Sequence, residues 1–269
     1  MSPKTLLVTG ATDGIGLKTA EMLLAKGCRV LIHGRNPEKL ADVYNHLVAL
    51  ADEGRVLTYR ADLSDLAEVA QLAERIRGDH KRLDAVIHNA GVFRTAQPET
   101  KGGLDVRFVV NTLAPFLLTE RLLPLLPAGA RIVNVSSAAQ ASVDLAAMRG
   151  ERRLSDNSAY AQSKLALTVI SFHQANQYAA RGLVVVAVNP ASFLGSKMVK
   201  EAYGMAGGDL RIGADILTRA ALSDEFADAS GRYYDNDHQR FAPAHADASD
   251  PNLRRAVVET AATLTGLTQ

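Results

Sequence analysis

The chain contains a single cysteine among its 269 residues and no tryptophan. One thiol, Cys28, excludes an internal disulfide framework, so the core has to hold the fold, and a reducing compartment suits it. Cys28 reads as a small apolar residue entering a strand. Charge of one sign is also lacking: 30 Lys and Arg face 29 Asp and Glu, a net +1, which gives no bias toward nucleic acid or acidic partners. No apolar run approaches membrane-spanning length. The run Leu6-Leu7-Val8 is strand-length and stops at Gly10, unlike a signal peptide. These absences lead to the expectation of a cytoplasmic protein without a membrane span. What is plentiful is apolar residue, 47%, enough for one large core.

Short apolar runs alternate with helical patterns. Residues 5–9, 29–33, 55–60, 85–88, 131–135 and 183–188 read as buried strands. Residues 16–26, 37–50, 66–77, 104–126 and 159–180 between them read as helices. Such alternation predicts an α/β fold, a parallel sheet covered by helices on both faces. Asn36-Pro37 opens a helix, with Asn as the cap and Pro in the first turn. No linker or repeat divides the chain, so 1–269 is expected to be one domain. Its last third is less regular. Five glycines among bulky apolar residues, Phe193–Gly213, suggest a substrate-side flap over about 192–213. A C-terminal extension of about 231–269 would supply a last strand and a final helix.

Gly10, Gly14 and Gly16 follow the first strand and open the first helix, with Thr12, Asp13 and Ile15 between them. Glycines there permit a tight turn, let backbone approach a pyrophosphate and bring helix close to strand. The helix start then aims N–H groups at the anion. An acidic residue closing the second strand would select NAD(H) through a ribose hydroxyl. That strand instead ends His33-Gly34-Arg35-Asn36. Arg35 offers a guanidinium fork for a 2′-phosphate, so NADP(H) is expected over NAD(H), although Asp13 argues mildly the other way.

Tyr160 and Lys164 stand four residues apart, on one helix face. An ammonium there favours the phenolate, whose unperturbed pKa of about 10 is otherwise too high for work near neutrality. A phenol so tuned can pass a proton to or from a carbonyl or alcohol oxygen. Together with a dinucleotide site, this points to redox chemistry.

The order of motifs resembles the short-chain dehydrogenase/reductase family over at least residues 4–196. Besides the glycine turn there are Asp62-Leu63, Asn89-Ala90-Gly91, Asn111, Ser136-Ser137, Tyr160-x-x-x-Lys164 and Asn189-Pro190. The resemblance implies a Rossmann-type doubly wound sheet in the strand order 3-2-1-4-5-6-7. It implies Tyr160 as acid/base, Lys164 lowering its pKa and holding the nicotinamide ribose, and Ser137 donating to the substrate oxygen. Asn111 would position a water that joins Lys164 to solvent. Asp62 and Leu63 would meet the adenine region, and Asn89, Ala90 and Gly91 would lie along the cofactor. Pro190, Ser192 and Ser196 would lie at the nicotinamide amide. The family's usual Pro-Gly is Pro190-Ala191 here, and its following threonine corresponds to Ser196, displaced by a residue. The longer gap before Tyr160, Ser142–Asn157, is similar to that of retinol-dehydrogenase-like and protochlorophyllide-reductase-like members.

The expected activity is NADP-dependent interconversion of a carbonyl and an alcohol. Reduction of a conjugated C=C bond and a non-catalytic cofactor sensor are the alternatives. Met148, Phe193, Met198, Tyr203 and Met205 suggest an apolar small-molecule substrate. Family precedent suggests a homodimer, for which Leu117, Leu118, Leu122, Leu165, Leu167 and Val169 would supply a face, unless they fill the monomer core. Asp235, Asp237, His238 and His245 match no metal spacing and read as a solvated loop.

Overall fold

The computed structural model describes residues 3–51 and 53–267; for Glu53, Ala202 and Tyr203 only the backbone is described, so the side chain of Tyr203 lies outside it. In chain order the elements begin β1 (Thr5–Val8), α1 (Gly14–Ala25), β2 (Arg29–Gly34), α2 (Pro37–Val48), β3 (Val56–Arg60), α3 (Leu66–Asp79) and β4 (Ala85–His88). Then come α4 (Val106–Phe108), α5 (Ala114–Leu122), β5 (Arg131–Val135), α6 (Leu145–Met148), α7 (Asp156–Gln177) and β6 (Val184–Asn189). The chain closes with α8 (Lys197–Tyr203), α9 (Leu210–Leu222), β7 (Arg232–Asp235), β8 (Arg240–Ala242) and α10 (Pro251–Thr265).

Strand alternation decides the layers. Leu6 and Val8 of β1 face one apolar cluster with α1, α2 and α9. Leu7, between them, faces the opposite cluster with α3 and α5. A strand buried on both faces requires the near-continuous apolar runs seen in the sequence. The sheet order is β3-β2-β1-β4-β5-β6-β7-β8. The first seven strands are parallel and follow the expected order, and β8 adds an antiparallel edge on β7. The order reverses between β1 and β4, which opens a crevice at the carboxyl ends of these strands.

Several elements differ from the sequence expectation. The helix expected over 104–126 is interrupted by a π-helical turn, Val109–Leu113, just ahead of Pro115. Pro115 has no N–H for the Asn111 carbonyl four residues back, which favours the wider turn. Helix α7 begins earlier than expected, at Asp156, because Ser155 caps it through Ser158 N. In the expected flap, Gly213 belongs instead to α9, which packs along α1; a Cβ at Gly213 would lie 2.6 Å from Leu194 Cδ1. Gly195 and Gly207 permit two backbones to touch, since a Cβ at Gly207 would stand 2.6 Å from Gly195 Cα. The base of this segment is closed by a Leu194–Gly208 bridge.

The proposed dimer residues serve the interior: Leu117, Leu118, Leu122, Leu165, Leu167 and Val169 are each at most 2% exposed. Helix α10 lies across α7 with Val257, Val258 and Ala261 in the same cluster as Leu165 and Val169. That face is therefore covered by the chain itself. Among the described residues one stretch, Val106–Leu125, is long and apolar enough to cross a membrane, and most of it is buried.

Candidate active site

The crevice opens into a cavity of about 440 Å³. At its floor lies the turn after β1. Gly10 has φ +64, and a Cβ there would lie 2.8 Å from Ala90 Cα. At Gly16 a Cβ would lie 2.3 Å from Gly10 O and 2.4 Å from Asn89 Nδ2. The turns after β1 and β4 are thus pressed together where only glycine fits. Asn89 Nδ2 donates to Thr9 O (3.0 Å) and Gly10 O (3.1 Å), and Ala90 N donates to Thr9 Oγ1 (3.1 Å). Thr12, Asp13, Gly14 and Ile15 line the cavity. The Asp13 carboxylate accepts from Gly14 N at 2.7 Å and so caps α1. Arg35 lies exposed at the mouth, where no carboxylate stands beside it in the chain. Asp62 and Leu63 continue the wall, and Asp62 Oδ1 accepts from Ser64 N (2.9 Å) and Oγ (2.7 Å).

At the other end stand Ser137, Tyr160 and Lys164. Lys164 is buried, and its Nζ donates to Val135 O at 2.7 Å. Burial lowers its pKa from 10.5 to about 8, because a charged ammonium loses its hydration there. Nζ lies 5.7 Å from the centroid of the Tyr160 ring. The adjacent serines divide their roles. Ser136 is buried and bonded to Thr168 Oγ1 at 2.7 Å. Ser137 Oγ accepts from Ala139 N at 3.1 Å, and the residue borders the cavity.

Three predicted residues fall outside the lining. Gly16 acts through the backbone contact just described. Asn36 spends its Oδ1 on Lys39 N (2.8 Å) as the cap of α2, directly after Arg35. Asn111 is fully buried behind Gly91: Oδ1 accepts from Val92 N (2.8 Å), and Nδ2 donates to Val92 O (2.9 Å) and Ser163 Oγ (2.9 Å). Ser163 Oγ in turn donates to Tyr160 O at 2.7 Å. The Asn111 amide thus joins the Gly91 turn to the helix bearing Tyr160.

The family model described as short chain dehydrogenase matches residues 4–206. The chain belongs to the short-chain dehydrogenases. Retinol dehydrogenase 13 of Homo sapiens is 31% identical, over 98% of this chain and 85% of the relative. Among solved structures, a short chain dehydrogenase from Burkholderia cenocepacia in complex with NADP shares 26% identity and a TM-score of 0.70, covering 86% of this chain and 95% of that one. The Pseudomonas aeruginosa RhlG/NADP complex shares 26% identity and a TM-score of 0.72, covering 87% and 95%. The chain is accordingly an NAD(P)-dependent oxidoreductase of the class acting on CH–OH and C=O groups.

Within this short-chain dehydrogenase, residues 189–196 depart most from the expectation. Ala191 holds φ +118, a left-handed conformation that suits the family's glycine better than an alanine. Asn189 Nδ2 donates to Asp235 Oδ1 and Asp237 Oδ2, both at 2.9 Å. Ser192 lines the cavity but also donates from N (2.7 Å) and Oγ (2.6 Å) to Asp237. The segment read as a solvated loop is thus corrected: Asp235 and Asp237 clamp the strand end after β6. Ser196 caps α8 through Val199 N (3.3 Å), and its Cβ lies 3.6 Å from where a Cβ at Gly14 would stand. It therefore sits over the glycine turn; Pro190 lines the cavity beside it. Phe93, missed in the sequence, leans on Tyr160 with ring centroids 4.7 Å apart. An aromatic after the Asn-Ala-Gly turn was the only available signal.

Proposed function

We propose that this short-chain dehydrogenase interconverts a carbonyl and an alcohol on an apolar small molecule, using NADP(H) in preference to NAD(H). The observation that carries the reading is one cavity with Ser137, Tyr160 and Lys164 at one end and Arg35 at the other. The residues suit a dinucleotide: Gly10 and Gly14 both have φ near +60, and both line the cavity without a side chain of their own. Gly10, Thr12, Gly14 and Ile15 would hold its pyrophosphate, Asp62 and Leu63 the adenine region, and Asn89, Ala90 and Gly91 its length. Pro190, Ser192 and Ser196 would close the nicotinamide side. When bound, the nicotinamide supplies or accepts the hydride.

The chain's own residues handle the proton. Tyr160 gives it to the substrate oxygen in reduction and takes it in oxidation. The Lys164 ammonium, held by Val135 O, favours the phenolate, and Ser137 donates to the same oxygen and fixes it within reach. Asn111 keeps the Gly91 turn and the Tyr160 helix in register, and it would position a water that joins Lys164 to solvent so that the proton is returned. Phe93, Ala139, Ala191, Phe193 and Met198 make the substrate wall mainly apolar. Met148 belongs to the core and Met205 lies outside the lining.

Two further parts of this reading concern setting. The lone buried Cys28 supports a reducing, cytoplasmic location. The covered face of α7 supports a monomer over the homodimer expected from family precedent, a choice that light scattering at micromolar concentration decides.

The test is consumption of NADPH with a panel of aldehydes, ketones and enones. Turnover of aldehydes or ketones is expected. Turnover of enones alone, or NADPH binding without any turnover, would overturn the proposal.

A further inference from the structure

His33 is 3% exposed at the end of β2, and the proton chemistry above does not use it. Its ring meets two partners: Gly10 N–H lies 3.2 Å from Nδ1, and Ala61 O lies 3.0 Å from Nε2. An amide N–H can only donate and a carbonyl can only accept. Nδ1 therefore carries the lone pair and Nε2 the proton. The backbone of the same residue takes the next amide of the turn, with Ala11 N donating to His33 O at 2.9 Å. Its neighbour Gly34 O accepts from Ala61 N at 3.4 Å. Both leading amides of the glycine turn, and both polar groups of Ala61, are thus held by His33 and Gly34.

The next residue after each of these ties borders the adenosine end of the cavity: Arg35 follows Gly34, and Asp62 follows Ala61. Burial keeps the imidazole neutral, its pKa lowered to about 4, which fits a ring whose two nitrogens are already committed. Replacing it with an apolar side chain would take the partner from a buried carbonyl, Ala61 O, and from a partly buried amide, Gly10 N, and such bonds are costly to leave unmade. The strain would fall on the turn, on Arg35 and on Asp62, all at one end of the site.

We infer that His33 is a positioning residue for the adenosine half of the dinucleotide site, a neutral imidazole that pins the phosphate turn to the ends of β2 and β3. The inference rests on the NADP reading of the cavity.

It is tested by direct calorimetric binding of three probes, NADPH, 2′,5′-ADP and reduced nicotinamide mononucleotide, to the parent protein and to His33→Leu and His33→Gln. In His33→Leu the Kd for NADPH and for 2′,5′-ADP should rise about tenfold or more, and that for the mononucleotide by less than twofold. Glutamine carries one acceptor and one donor, so His33→Gln should recover most of the lost affinity. If His33→Leu does not fold, the comparison is made on His33→Gln and His33→Asn, the latter too short to span both partners and expected to lose more for 2′,5′-ADP. Equal losses for the two halves, no loss, or a glutamine variant weaker than leucine or asparagine would overturn the inference. A parent protein that binds neither NADPH nor 2′,5′-ADP would overturn the cofactor reading, and this inference with it.

Discussion

Replacing Lys164 by methionine should abolish turnover and yet stabilise the dinucleotide-free protein. The ammonium is buried, and its pKa falls from 10.5 to about 8. The unfolded chain keeps this proton up to about 10.5, the folded chain only to about 8. Stability from this group is therefore lowest below pH 8 and rises with pH across that window. The gap corresponds to about 3 kcal/mol of cost at pH 7, at about 1.4 kcal/mol per pH unit. Against this, methionine leaves Val135 O without the Lys164 donor, a loss of about 1 kcal/mol. The expected balance is a gain of about 2 kcal/mol, a rise in Tm of roughly 5 °C. Urea unfolding at pH 7 and pH 9 provides the assay. The parent should climb by roughly 1.4 kcal/mol over that interval, and Lys164→Met should stay flat. The interval stops where Cys28 begins to matter; burial raises its thiol above 9.0. A variant less stable than the parent at pH 7, or one that keeps the climb, would refute the reasoning.

Tyr160→Phe keeps the ring against Phe93 and removes the transferable proton; turnover should fall by about 10²-fold or more, with the NADPH Kd within about twofold. Arg35→Ala should weaken NADPH by roughly 1.5–3 kcal/mol and leave NADH nearly unchanged, as read by fluorescence titration; equal losses would make Arg35 structural. Ala191→Gly should relieve the strain at φ +118 and raise stability by about 1 kcal/mol after the entropy of glycine is subtracted; a loss on urea unfolding would show the alanine to be unstrained. The Phe193–Gly208 segment should exchange amide hydrogens fast without ligand and be protected in a ternary complex; slow exchange in both states would mark a rigid wall.

Much of the site was legible because its signals are local. The glycine turn, the Tyr160–Lys164 spacing and the apolar runs each lie within a few residues. Asn36 likewise showed its capping role in Asn36-Pro37. What stayed hidden depends on contacts across the chain. Asp235 and Asp237 gain meaning only when β7 is laid beside β6, and His33 only when the turn after β1 folds onto it. Helix α9 was masked by glycines in and just before it, whose role is close backbone contact rather than chain freedom. The leucines of α5 and α7 carry the same pattern whether a second subunit or the chain's own α3 and α10 cover them, so periodicity could not choose between the two.

That covering helix makes the C-terminal segment a built-in substitute for a neighbour. Val257, Val258 and Ala261 meet Phe108, Leu165 and Val169, a strip that is otherwise open on the flank of α7. Since the lid over this strip is tethered, its local concentration does not fall on dilution, and the helix carrying Tyr160 keeps its backing at any protein concentration. Trimming the chain before Pro251 would do more than shorten it. It would expose Leu165 and Val169, further along the helix that bears Tyr160, as an apolar patch of the kind that draws a partner.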